Sequence, residues 1–263
     1  MKNFRLIARL DIKMDKLIKG IQMEGWRKVG NPGVFAKHYA EEGADELIFT
    51  DVVASLYGRN NLEEVLKSVA SQVFIPMTVG GGVRTLDDAT YLLKCGADKI
   101  SINTGATKNP SLITDIAENL GSQACVVAIE TILVDGEWIV MTENGRNHSG
   151  LKALEWASEV MDRGAGEILI TAIHKEGLGK GMDLELIQNV SSQVSIPVIA
   201  GGGLGTCEHL ESLIDQTDVT AVAIAQALHW KKLYLKDLRM TLERKDYYVR
   251  PLNPTSTNKN NIV

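Results

Sequence analysis

The chain has 263 residues, 44% hydrophobic and 23% charged, with a formal net charge of −5. That composition fits one or two ordinary globular domains and excludes a disordered, collagen-like or disulfide-stapled chain. Its mild acidity offers no basic face to nucleic acid or an anionic membrane surface, and no apolar run approaches the ~18 residues of a membrane span. Cys95, Cys125 and Cys207 are far apart, with no CxxC and no Cys/His ligand spacing. They read as buried, reduced thiols of a cytoplasmic protein, with no metal and no cofactor expected.

In chain order, MKNFRLIARLDIK alternates charged and apolar residues. It reads as a first strand, Arg5–Asp11, and not as a signal peptide. The connection 12–32 is long and polar and carries Lys13, Lys16, Lys19, Arg27 and Lys28; a loop of that length is usually functional or mobile. Val34, Phe35, His38 and Tyr39 then have helical spacing, followed by a second apolar run, Glu46–Asp51. Leu62, Val65, Leu66 and Val69 mark a helix before the run Ile75–Gly80. Thr85-Leu-Asp-Asp opens the next helix and Asn109-Pro110 another, on either side of the run Lys99–Asn103. After Cys125–Glu130, the segment Leu133-Val-Asp-Gly-Glu-Trp-Ile-Val-Met predicts a hairpin, because Asp-Gly between alternating apolar residues favours a tight turn. Glu167–Ala172, a helix through Leu184, Ile187 and Val190, then Ile196–Ala200, a helix opened by Thr206, and Thr220–Ala225 complete the pattern. Gly43, Gly96 and Gly164 stand where left-handed helix ends are expected. Residues 1–250 form a single domain in this reading, and 251–263 a polar, frayed tail.

Eight alternating strand–helix units in about 250 residues predict an α/β fold, a (β/α)8 TIM barrel. The alternative is an open doubly wound sheet, which usually has fewer strands and a GxGxxG turn after the first one; that turn is absent here. A two-fold half-barrel repeat supports the barrel. Ile75-Pro-Met-Thr-Val-Gly-Gly-Gly-Val matches Ile196-Pro-Val-Ile-Ala-Gly-Gly-Gly-Leu at an offset of 121, and Glu46-Leu-Ile-Phe-Thr matches Glu167-Ile-Leu-Ile-Thr at the same offset. Leu10-Asp11 matches Ile129-Glu130 at 119.

Active sites of such barrels lie at the C-terminal ends of the strands. Both glycine triples, containing Gly81-Gly82 and Gly202-Gly203, fall there. Glycine lets backbone N–H groups approach an anion without a Cβ in the way, so two phosphate cradles are predicted, the first closed by Asn103 and Thr104. Plain tight turns are the alternative. A substrate with a phosphate at each end would span the two. Asp11 and Glu130 end strands related by the repeat and are candidates for general base and general acid; strand-end salt-bridge partners are the other reading. Lys19 either reaches over the mouth to substrate and Asp11 or is a solvated loop lysine. Residues 5, 7, 9 and 11 share one strand face, so Arg9 points into the barrel, where Glu130 or Asp11 is its expected partner. Arg5, Glu46, Lys99 and Glu167 each begin a strand; their alternating signs predict a charge ring across the barrel floor, against separate solvated charges.

These residues, with Thr78-Val-Gly-Gly-Gly, Gly96-Ala-Asp-Lys, Ser101-Ile-Asn-Thr, Asn109-Pro-Ser-Leu-Ile and Gly164-Ala-Gly-Glu-Ile-Leu, give the chain a resemblance from about residue 3 to 245. It resembles the histidine-biosynthesis barrels, specifically the cyclase subunits of imidazole glycerol phosphate synthase. The resemblance implies a barrel that receives ammonia from a glutaminase subunit in a heterodimer. It implies conversion of a bisphosphorylated ribulosyl-formimino aminoimidazole carboxamide nucleotide to imidazole glycerol phosphate and the aminoimidazole carboxamide ribotide, with no nucleic acid or membrane partner. It makes Asp11 the essential acid/base carboxylate and Lys19 the flexible-loop lysine. Gly82, Asn103 and Thr104 match one phosphate site, and Gly177, Gly203 and Gln226 the other. Arg5, Glu46, Lys99 and Glu167 match the gate of the ammonia tunnel, and Asp98 a glutaminase contact. Several positions depart from the family pattern: Glu130 and Glu176 replace Asp, Arg9 a small residue, Gly201 and Gln226 Ser, and Leu178 Thr. An altered mouth over an intact floor also fits a paralogue that passes ammonia to a sugar acceptor in surface-polysaccharide amidation. A related single-chain isomerase and a non-catalytic glutaminase stimulator are further alternatives.

Overall fold

A computed structural model describes residues 2–54 and 62–252; the tail 253–263 lies outside them. Eight strands follow the apolar runs, and β2, β3, β8 and β9 lie between them: β1 (Arg5–Lys13), β2 (Lys16–Ile21), β3 (Glu24–Gly30), β4 (Glu46–Asp51), β5 (Met77–Gly80), β6 (Lys99–Ile102), β7 (Cys125–Val134), β8 (Glu137–Thr142), β9 (Asn147–Lys152), β10 (Glu167–Ala172), β11 (Val198–Gly201) and β12 (Ala221–Ile224). Parallel pairing runs β1–β4–β5–β6–β7–β10–β11–β12 and returns to β1, closing an eight-stranded barrel. Crossover helices surround it, among them α1 (Pro32–Glu42), α2 (Glu63–Ala70), α3 (Leu86–Lys94), α4 (Thr104–Lys108), α5 (Ser111–Leu120), α6 (Ala153–Asp162), α7 (Leu184–Gln193), α8 (Cys207–Gln216), α9 (Gln226–His229) and α10 (Leu235–Arg244).

Local chemistry sets the helix ends. The Asn31 side chain accepts from the Val34 amide, Pro32 follows it, and Gly43 ends α1 at φ +100°. Thr85 and Asp88 form a reciprocal capping box on α3, and Thr206 caps α8. Asn109 does not cap as expected: α5 starts after Pro110, and the Asn109 side chain instead accepts from the Ser111 hydroxyl.

The period-two rule holds on β1. Leu6, Ala8, Leu10 and Ile12 face the helices in the main core, while Ile7 packs inside the barrel with Ile48, Val126, Leu169 and Ile199. Cys95 and Cys125 are buried as expected, but Cys207 is only half-buried.

The connection 12–32 is not a loop. β1 continues to Lys13, then β2 and β3 form an antiparallel ribbon over the mouth. Gln22 and Met23, at φ +51° and +62°, make its turn. Met23 seats on Met141 and Ile173 and anchors the tip. The predicted hairpin is present as β7–β8, with Asp135 and Gly136 at φ +49° and +83°, and β9 adds a third strand.

Candidate active site

The barrel floor carries the predicted ring. Arg5 pairs with Glu46 at 2.7 Å and with Glu167, and Lys99 bonds Glu46 at 3.0 Å and Glu167 at 3.1 Å. The four side chains alternate in sign and are largely buried, which excludes separate solvated charges. Burial opposes ionisation of Glu46, yet the Arg5 and Lys99 charges hold its carboxyl below the ordinary value. Asp98 is exposed beside the ring, and one of its oxygens accepts from the Met77 amide at 2.8 Å. Asp45 makes the same bond to Leu6. The inward apolar layer around Ile7 separates this floor from the mouth.

At the mouth a second set of charges is fully enclosed. Asp11 is 1% exposed and both its oxygens are engaged: Oδ1 accepts from Arg9 Nε at 2.9 Å and Oδ2 from Lys19 Nζ at 3.0 Å. Lys19 also bonds Glu176. Lys19 is therefore not solvated; the ribbon delivers it inward, and its amide neighbours fix the ribbon to the loop after β10. Gln22 donates its backbone N–H to the Glu176 carbonyl at 2.9 Å and its side-chain amide to the His174 carbonyl at 3.0 Å. Burial alone would raise the Asp11 pKa, but the Arg9 and Lys19 charges and hydrogen bonds hold it well below the usual carboxylate range. Burial lowers the Arg9 and Lys19 values less than Asp11 and Glu176 raise them, so both stay cationic.

Glu130 behaves differently. It sits on β7, opposite Thr171 of β10, and is buried with Oε2 unpartnered. Burial pushes its carboxyl up, Arg9 pulls it down, Asp11 and Glu176 push it up again, and the result is about 7. With Arg9 and Lys19 against Asp11 and Glu176, the cluster is charge-balanced when Glu130 holds its proton. Two carboxylates with separated proton affinities are what acid–base chemistry near neutrality requires.

A cavity of about 240 Å³ opens beside Glu130. Arg9, Gly81, Gly82, Asn103, Thr104 and Glu130 line it, so the first predicted cradle shares one space with the carboxylate. Gly81 and Gly82 adopt φ +103° and +73°, and a Cβ on Gly82 would stand 2.7 Å from Ala54 Cβ. Asp11 is not among the lining residues; Arg9 and Lys19 cover it. Gly177, Gly202, Gly203 and Gln226 line a second, narrow crevice of about 10 Å³, room for about one water. The ribbon crowds it: a Cβ on Gly177 would meet the Gly20 carbonyl at 2.5 Å.

Sequence reasoning missed Ser101, Asn144 and Thr171, which also line the cavity beside Glu130. Asn144 stands in the β8–β9 turn, where Glu143, Asn144 and Gly145 all have positive φ. Asn-Gly was the available signal. That turn is tied to the first cradle, since the Glu143 amide donates to Thr104 Oγ1 at 2.9 Å.

A closed barrel with two glycine-built crevices and a buried carboxylate at the C-terminal ends of its strands, and a charge ring on the floor, has the layout of a (β/α)8 enzyme. The histidine biosynthesis protein family matches residues 5–234. A protein named imidazole glycerol phosphate synthase subunit HisF from Legionella pneumophila is 60% identical over 209 residues, 79% of this chain and 99% of the relative. Proteins of that name from Exiguobacterium sp. (43% identical; 89% of this chain, 91% of the relative) and Sulfurisphaera tokodaii (43%; 94% and 98%) match over longer spans. The chain belongs to the histidine-biosynthesis family, among the cyclase subunits of imidazole glycerol phosphate synthase, lyases of histidine biosynthesis. No helix among the described residues is long and apolar enough to cross a membrane.

Proposed function

We propose that the chain takes ammonia from a glutaminase subunit bound at the barrel floor and joins it, at the mouth, to a bisphosphorylated ribulosyl-formimino aminoimidazole carboxamide nucleotide. The products are imidazole glycerol phosphate and the aminoimidazole carboxamide ribotide. The single observation that carries this reading is the shared cavity of Glu130 and the Gly81–Gly82–Asn103–Thr104 cradle, with the second glycine crevice across the mouth. One substrate phosphate sits in the first, and the other enters the Gly177–Gly203 crevice once the ribbon that crowds it withdraws. Glu130, with a proton affinity near neutrality, moves a proton in the cyclisation, while Asp11 remains an anion that holds Lys19 and Arg9 over the reacting centre. The floor ring and exposed Asp98 face the partner. Three unpaired thiols suit a cytoplasmic setting. The shared name of the relatives favours this reading over sugar amidation, the single-chain isomerase and a non-catalytic stimulator.

Purified protein incubated with the nucleotide and ammonium at mildly alkaline pH tests the reading. Imidazole glycerol phosphate forms, and Asp11→Asn abolishes it. Complete inactivity of the unaltered protein excludes the proposal.

A further inference from the structure

Arg9 is a fully enclosed arginine with spare donors. A guanidinium carries five N–H groups. Among the described residues Arg9 makes one hydrogen bond, from Nε to Asp11. Its two Nη nitrogens have no hydrogen-bond partner there, and the residue lines the cavity beside Glu130. Beside them, three polar atoms of that cavity's lining are fully buried without partners: Glu130 Oε2, Asn103 Oδ1 and Asn144 Nδ2. Unmet buried polar atoms are costly, and their clustering in one cavity identifies it as shaped for a polar ligand group. The set is mixed: donors from Arg9 and Asn144, an acceptor from Asn103, and a Glu130 carboxyl that can donate or accept. A carboxamide is its complement, with one carbonyl acceptor and two N–H donors on a planar group. The charge balance agrees. Arg9 is already neutralised by Asp11, so a neutral group enters without disturbing the cluster, whereas a carboxylate adds an uncompensated negative charge.

We propose that Arg9 is a specificity-determining residue that reads the carboxamide of the aminoimidazole half of the substrate, its Nη groups donating to the carboxamide oxygen while the carbonyl oxygen of the protonated Glu130 carboxyl accepts from the carboxamide nitrogen. This rests on the substrate class proposed above. The nucleotide's phosphate lies in the Gly82–Asn103–Thr104 cradle, and its base points down the same cavity toward Arg9 and Ala128. Ala128 stands where the repeat, at the offset of Asp11 and Glu130, places the counterpart of Arg9. The small side chain leaves space on its side for the ring.

Calorimetric titration of the intact protein with three ligands tests this: the aminoimidazole carboxamide ribotide, the aminoimidazole ribotide lacking the carboxamide, and ribose 5-phosphate. The carboxamide ribotide binds the unaltered protein about 10- to 100-fold more tightly than the form without the carboxamide. Arg9→Met erases that preference and leaves ribose 5-phosphate within about threefold of its original affinity. Arg9→Lys, a charge without a planar fork, restores only part of it. Equal loss on all three ligands would assign Arg9 a purely structural role and overturn the inference. So would an unaltered protein with no carboxamide preference, a measurement that stands even where Arg9→Met fails to fold. Turnover of the full substrate without any such preference overturns the role of Arg9 alone. Absence of both turnover and ribotide binding sinks the substrate class and the inference with it.

Discussion

Asp11 is held by two cations at once, and that arrangement sets what its replacement does to stability. Asp11→Asn keeps the shape but removes the charge that both Arg9 Nε, at 2.9 Å, and Lys19 Nζ, at 3.0 Å, approach. Removing one partner of a buried pair costs about 3–5 kcal/mol. Here the low end applies, because loss of the Asp11 charge relieves the push on Glu130, which then ionises more readily and returns one negative charge to the cluster. We expect about 3 kcal/mol for Asp11→Asn and a similar loss for Arg9→Met, which strands Asp11 with Lys19 alone. The double variant leaves Lys19 with Glu176, a balanced pair already in contact. Its cost therefore falls at least about 2 kcal/mol short of the sum of the singles. Urea unfolding followed in parallel by tryptophan fluorescence and circular dichroism measures all four corners of the cycle. Single losses that add to within about 0.5 kcal/mol would mean that Arg9 and Asp11 do not share an interaction, and the account of the buried cluster would fail.

Glu130 gives the protein a pH-dependent stability of unusual sign. The unfolded chain releases its proton near 4.5 and the folded chain near 7, so between these values the folded state binds more protons and stability falls as pH rises, by about 3 kcal/mol at most. Melting temperatures against pH for the protein and for Glu130→Gln check this, the variant losing that part of the slope. Asp11 acts oppositely: its contribution is present above about pH 4, its ordinary range, and is lost as pH falls toward its depressed folded value. Gly203→Ala places a Cβ 2.1 Å from the Gly181 carbonyl at φ +99°, so it should cost about 2 kcal/mol or more and weaken binding of glycerol phosphate, with inorganic phosphate at the other cradle unaffected in a titration of both. Glu167→Gln removes the carboxylate that bridges Arg5 and Lys99; the partial exposure of those partners limits the thermal-unfolding cost to about 1–2 kcal/mol.

How legible these features were depended on the period of each signal. Strand faces repeat every two residues, so Arg5, Ile7, Arg9 and Asp11 were placed inward from the sequence, and the floor ring followed from charges at four strand starts. Turn chemistry was legible where glycine announced it, as at Asp135-Gly136. It was hidden at Gln22-Met23, where two side chains adopt positive φ because Met23 is anchored on Met141 and Ile173. Without that turn signal, and with lysines on both sides, the ribbon read as a loop. For Lys19 the residues alone left a reach to Asp11 and a solvated lysine both open, since nothing local reveals that Glu176, 157 residues away, completes its site. The proton affinity of Glu130 was equally out of reach, being a property of burial and of three charges from other strands and loops.

The two halves of the barrel share their frame and part at the positions that carry chemistry. Asp11 and Glu130 occupy equivalent strand ends, yet one is an anion gripped by two cations and the other holds its proton near neutrality with one oxygen unpartnered. The difference lies one inward layer below, where the first half has Arg9 and the second has Ala128. A guanidinium beneath Asp11 fixes that carboxylate as a charge. The missing side chain at Ala128 leaves Glu130 without its own cation and opens the cavity it lines. Acid and anion thus differ through burial of Glu130, the grip of Lys19 and Arg9 on Asp11, and the Arg9–Ala128 inequality in an otherwise repeated scaffold. The same asymmetry leaves room beside Glu130 for the cavity that Arg9 and Ala128 both line.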